Sequence, residues 1–248
     1  MLATCMTTPT ALDSFIDKWR SRWPEWSVAE VFMAPDRRER SLAWFALLQE
    51  FEDILNVAGD PLPADAKLGW WASELRDWQG QRSRHPLGRL LEPLPAPWAL
   101  LADALPSLVA ARERPRDGDA ALAALTAYTG AVAEVEAVVL GGSRAAPAAL
   151  AAQVLAGRLA AAGTVALPLV LEPGSAAAPE AAAAASRAWA GQLLARWPAR
   201  SGASRARRMY ARCARHRLQQ LAAGRTPQPG RQPLGQLWRV WRAASGGP

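Results

Sequence analysis

Aspartate disappears from this chain halfway along. After Asp119 there is none, and the only acids left are Glu134, Glu136, Glu172 and Glu180. Chemistry that needs two facing acidic motifs can draw one from the first half and has no material for a second. Cysteine is scarce as well: Cys5 and Cys213 give neither a metal-ligand spacing nor a disulfide framework, which points to a reducing compartment. No run of about 20 uncharged apolar residues marks a membrane span. The nearest stretch, 145–171, contains Pro147, Arg158 and Pro168 and reads as a buried core helix. Residues Met1 to Asp13 lack the basic start and apolar run of a secretory signal. β-branched residues are few and strand-like alternation is hard to find, which argues against a sheet.

What the chain does have is alanine, arginine and tryptophan. Half of its 248 residues are hydrophobic, ample for a core, and Lys18 and Lys67 are the only lysines. Charge is divided unevenly. Residues 1–119 hold 14 Lys and Arg against 18 Asp and Glu, a net of −4, whereas 120–248 hold 15 Arg against 4 Glu, a net of +11. Such a basic half attracts phosphate, anionic lipid or nucleic acid, and composition does not choose among them.

Apolar spacing predicts a succession of helices. Leu12, Phe15, Ile16 and Trp19 set the first, over 11–23. Pro24 and Pro35 bracket a short second segment, and Asp36 starts a longer helix that runs to Gly59. Residues 65–80 carry Leu68, Trp71, Leu75 and Trp78 on one stripe. A helix is predicted over 98–112 around Pro106, and the clearest one over 120–140, with Leu122, Leu125, Thr129, Val132, Glu136 and Val139 in line. Helices at 148–162, 179–197 and 204–223 follow. Residues 1–10 and about 226–248 are expected as poorly ordered tails, the second holding only a short segment at 237–241. With no repeat and no linker, the chain reads as a single all-α domain.

One helix interrupts its apolar pattern with polar groups. Gln49, Glu52, Asp53 and Asn56 fall one turn apart on a single face. Carboxylates at that spacing can hold Mg²⁺ through oxygen ligands, and the metal can bridge to a diphosphate. The run Phe45 to Asn56 resembles the first aspartate-rich helix of the squalene/phytoene synthase family. Lys67-Leu68-Gly69-Trp70-Trp71-Ala72-Ser73-Glu74-Leu75 with His85-Pro86 is similar to the family's second block, and Tyr128 to Ala133 to a later helix. The likeness is best over about 12–92, weaker over 119–142, and faint beyond.

The resemblance implies a single-domain helical bundle of the isoprenoid synthase type. Active members condense two prenyl diphosphates, with two aspartate motifs on facing helices holding Mg²⁺ and arginines neutralising the leaving group. This chain departs from that pattern. Gln49 stands where the family has Arg, Glu52 where it has Asp, and Asn56 where it has a further Asp. The second motif falls on Ala152 to Ala160, which offers Gln153 and Arg158 and no acid. Glu52 and Asp53 are thus the metal-ligand candidates and Arg158 the candidate diphosphate contact, while no residue is assigned a catalytic role.

The expected function is a family member without the metal-dependent condensation, binding an isoprenoid or a protein partner, since some family members serve as assembly factors for respiratory complexes. The alternative is a divergent prenyl transferase of isoprenoid, carotenoid or hopanoid biosynthesis, with Mg²⁺ held mainly by substrate. A cytoplasmic location is expected, with peripheral contact at the inner face of the membrane as a variant.

The remaining features read more plainly. Arg205, Arg208, Arg212 and Arg215 form one basic stripe, suited to anionic lipid or an acidic partner or simply to solvent. No nucleic-acid motif accompanies it, and nucleic acid is not an expected partner. His85 before Pro86 reads as structural, His216 as a surface residue and Cys213 as core. Trp44, Trp70, Trp71 and Trp78 lie near the motif region, and most of the tryptophans read as core.

Overall fold

The computed structural model describes residues 10–174, 178–198, 203–226 and 233–245, and among them it contains helices and no strands. Residues 1–9, most of the first expected tail, lie outside these ranges. Helix α1 (Ala11–Arg22) starts on a capping box in which Thr10 accepts from the Asp13 backbone and Asp13 accepts from Thr10. It buries Ile16 and Trp19 as its spacing predicts. A single turn, α2 (Trp26–Ala29), follows before Pro35 opens α3 (Pro35–Leu55). Helix α3 is apolar nearly all round from Ser41 to Leu48 because it runs through the middle of the protein, packing on α1 and on α4 (Leu62–Trp78). Helix α4 buries the predicted stripe of Leu68, Trp71, Leu75 and Trp78.

Two predicted helices are broken. The segment 98–112 becomes α6 (Trp98–Ala104) and α7 (Ser107–Ala110), after a short α5 (Gly88–Leu91), because Pro106 cannot donate within the helix. The helix expected over 120–140 is α8 (Gly118–Ala124) and α9 (Thr126–Val139), bent by 51°. At the bend the Thr126 and Thr129 hydroxyls donate to the carbonyls of Leu122 and Leu125, four residues back, a competition that bends helices.

Helix α10 (Pro147–Ala162) packs on α3, on α9 and on the C-terminal pair α11 (Pro179–Arg196) and α12 (Arg205–Ala222). The stretch Pro147–Ala166 is long and apolar enough to cross a membrane, yet more than half of it is buried inside the bundle. In place of the short segment expected in the C-terminal tail there is a helix, α13 (Pro233–Ser245), which lies on α12 and α2 with Val240 and Ala244 buried. Pro233 suits a first helical position, where its missing N–H costs nothing.

One continuous core joins these elements, and tryptophan dominates it. Trp19, Trp26, Trp44, Trp71, Trp78, Trp98 and Trp189 are each almost wholly buried. Burying each removes about 150–250 Å² from water, so the rings of α1, α2, α3, α4 and α6 fix how those helices sit together, while Trp189 anchors α11. Trp70, by contrast, is half-exposed, and His85 lies under it and beside Phe15 and Trp71. Burial pushes the His85 imidazole down to about 4, and its Nδ1 accepts from the Leu87 backbone, which makes it a neutral structural residue.

Candidate functional site

All four polar residues of the α3 face meet in one place. Gln49, Glu52, Asp53 and Asn56 line a pocket of about 300 Å³. Across it stands α10 with Gln153, Ala156, Gly157, Ala160 and Ala161, and α12 closes it with Tyr210, Ala214, Arg217, Leu218 and Leu221. Helical spacing puts residues 49, 52, 53 and 56 on one side of α3. Small residues on α10 then let that helix approach closely. A Cβ added at Gly157 would stand 3.3 Å from Glu52 Oε2, so glycine makes room for the carboxyl.

The two carboxylates of the motif have different lives. Asp53 is held on both oxygens by the Arg22 guanidinium, with Nη2 at 3.1 Å from Oδ2. Lys18 Nζ adds a contact at 3.4 Å, and Gln49 Nε2 donates to Oδ1 at 3.1 Å. The Glu52 carboxylate has no hydrogen bond or ion pair among the described residues. Burial pushes its carboxyl up to about 7, against the pull of Arg207 and Arg22 and with a further push from Asp53. Asn56 turns its amide back, and Nδ2 donates to the Glu52 carbonyl at 2.9 Å.

Arg158 does not reach this pocket. It is 6% exposed, and its guanidinium donates to the carbonyls of Leu55, at 3.2 Å, and Arg112, at 2.5 Å. Leu55 is the last residue of α3, whose terminal carbonyls have no partner within the helix, so Arg158 is a cap. Replacing it with Met is expected to cost about 1–2 kcal/mol, the worth of one buried and one partly buried carbonyl losing a charged donor. Thermal unfolding of Arg158→Met checks this, and an unchanged midpoint would contradict the capping role.

The basic stripe is also not the open surface its spacing suggests. Only Arg205 is exposed, while Arg208, Arg212 and Arg215 are half-buried. Arg208 donates through Nη1 to the Ala203 carbonyl and through Nε to the Ala243 carbonyl in α13, so the C-terminal helix packs against the stripe at Arg208.

The buried network behind the pocket, which meets its lining at Gln153, escapes a reading by motif. Arg207 is 3% exposed and donates through Nε to both oxygens of Glu136, each at 2.9 Å, and through Nη1 to Gln153 Oε1 at 3.1 Å. Trp44 Nε1 donates to the same Glu136 carboxylate at 2.8 Å. The guanidinium also lies 5.0 Å from the rings of Phe45 and Tyr210. At the pocket mouth Arg217 pairs with Glu25 and stacks 4.0 Å over Trp23. One signal for these residues exists in the sequence: Arg207, Tyr210, Ala214, Arg217 and Leu221 follow helical spacing on the face opposite the stripe, and Glu136 is an isolated acid in an apolar row.

The donor set does not fit Mg²⁺. Both Asp53 oxygens are engaged by cations and an amide, Asn56 brings no charge, and α10 brings no carboxylate to the pocket. Among the described residues no group of three or more His, Cys, Asp or Glu side chains is placed to hold a metal. No protein-family model matches the chain, and no curated protein does.

Proposed function

We propose that the chain is a squalene/phytoene synthase-like protein that binds an isoprenoid in the pocket between α3, α10 and α12 and does not condense prenyl diphosphates. The observation that carries this reading is the confinement of acids to one wall. Glu52 and Asp53 look across onto Gln153, Ala156 and Gly157. A diphosphate leaving group needs its charge neutralised as it departs. Here the nearby cations are already engaged, Arg22 with Asp53 and Arg217 with Glu25. Of the two occupants open from the sequence, an isoprenoid and a protein partner, the pocket favours the first. Ala156, Ala160, Ala161, Leu218 and Leu221 offer apolar walls, and about 300 Å³ is at the small end of sites for small molecules.

Incubating the purified protein with farnesyl or geranylgeranyl diphosphate and Mg²⁺ tests the reading. Diphosphate release is expected to stay at the level of a protein-free control, with Asp53→Ala indistinguishable from the natural chain. Release that disappears in Asp53→Ala would establish a divergent prenyl transferase instead.

A further inference from the structure

Pairing within the pocket leaves uncharged groups unmatched. Gln153 lines it at 6% exposure, and its Oε1 accepts from Arg207 Nη1 at 3.1 Å. A guanidinium only donates, so this contact fixes the amide orientation and leaves Nε2 as the outstanding donor. That Nε2 is buried and has no partner among the described residues. Asn56 shows the converse. Its Nδ2 donates to the Glu52 carbonyl, which only accepts, so Oδ1 is the outstanding acceptor and likewise has no partner among the described residues. The half-buried Glu52 carboxyl, lying against Gly157, is a further acceptor on the same wall, though not a fully buried one. Buried polar atoms left in this condition are uncommon in proteins and call for a partner.

From this arrangement we infer that the pocket takes a neutral isoprenoid alcohol in preference to a prenyl diphosphate, its hydroxyl accepting from Gln153 and donating to Asn56 or Glu52. The inference rests on the reading above that the occupant is an isoprenoid. A hydroxyl is at once a donor and an acceptor, so it can serve opposed amide groups that a hydrocarbon leaves unmatched. A diphosphate would set its anionic oxygens against Glu52 and Asp53, while Arg22 and Arg217 are held by Asp53 and Glu25. Like charges in a partly buried site repel strongly.

Equilibrium dialysis of the full chain with four probes sharing the farnesyl chain tests this: farnesol, its methyl ether, the corresponding hydrocarbon, and farnesyl diphosphate with and without Mg²⁺. The alcohol is expected to bind roughly tenfold more tightly than the hydrocarbon, about one net hydrogen-bonding group. The ether, which keeps the acceptor and loses the donor, falls between them, and the diphosphate binds more weakly than the alcohol. Equal binding of alcohol and hydrocarbon, or tighter binding of the diphosphate, overturns the alcohol assignment and leaves an isoprenoid pocket standing. Failure of all four to bind overturns the isoprenoid reading and this inference with it. A second arm uses Gln153→Glu, which keeps an acceptor for Arg207 and removes the Nε2 donor. In a variant shown by circular dichroism to be folded, the advantage of alcohol over hydrocarbon is expected to vanish, and its persistence would overturn the role of Gln153. Should that variant not fold, the probe series on the natural chain decides alone.

Discussion

Replacing Arg207 with Met is expected to destabilise the protein by about 3–5 kcal/mol, the usual cost of stripping one partner from a buried ion pair. Glu136 is 3% exposed, and Arg207 is its only ionic partner among the described residues. Without the guanidinium its carboxylate keeps one donor, Trp44 Nε1. Burial on its own would draw the Arg207 charge out, but Glu136, helped by Tyr210 and Glu52, outweighs it and holds the guanidinium above its ordinary pKa. The pair is thus strongly coupled, and neither half is tolerable alone. For a chain of this size each kcal/mol is worth about 2–4 °C, so the unfolding midpoint should fall by roughly 6–20 °C. The double variant Glu136→Leu/Arg207→Met is expected to recover much of the loss, because neither half of the pair is then left buried without its counter-charge. Recovery stays incomplete, since Trp44 Nε1 and Gln153 Oε1 lose their partners at about 1 kcal/mol each. Urea unfolding of the natural chain, both single variants and the double variant closes the cycle. A double variant as damaged as the sum of the singles would rule out the coupling, and an Arg207→Met protein with an unchanged midpoint would remove the network from any account of stability.

That network also marks where a single sequence stops being readable. Helices announce themselves locally, because an apolar residue every third or fourth position needs only its neighbours to be recognised. Ile16 with Trp19, and Leu68 with Trp71, Leu75 and Trp78, were therefore legible and are buried. The break at Pro106 was marked by its residue, whereas the bend at Leu125 depends on two threonine hydroxyls turning back on the helix and has no such mark. The polar face at 49–56 stood out against an apolar helix, and its four residues do share one pocket. Arg207 and Glu136 are 71 positions apart, and only the folded bundle brings them together. The stripe from Arg205 to Arg215 misled for the opposite reason. Arginine at helical spacing describes a solvated face unless another helix packs on it, and α13 does so at Arg208, whose Nε donates to Ala243.

Glu52→Gln is expected to stabilise the protein above neutrality, by about 3 kcal/mol at pH 8. The Glu52 carboxyl is pushed from 4.5 to about 7 chiefly by burial, and each pH unit of displacement is worth about 1.4 kcal/mol. Between those values the folded protein keeps a proton that the unfolded chain has released. Stability contributed by this group therefore falls as pH rises from about 4.5 to 7, and the deficit is complete above 7. His85 works against it over part of the same range. Its imidazole, pushed down from 6.5 to about 4, stays neutral in the fold while the unfolded chain binds a proton, so its contribution rises with pH between 4 and 6.5. In the natural chain the two slopes oppose each other. Glutamine in place of Glu52 removes the falling component, and the variant should gain stability on the natural chain steadily from pH 5 to 7 and hold that gain at pH 8. The difference between two urea-unfolding series isolates Glu52 from every other titrating group. A difference that does not change with pH would mean that Glu52 titrates as an ordinary exposed carboxylate. Its place against Gly157 would then supply no low-dielectric environment, and the pocket would have to be regarded as open to water at its acidic wall.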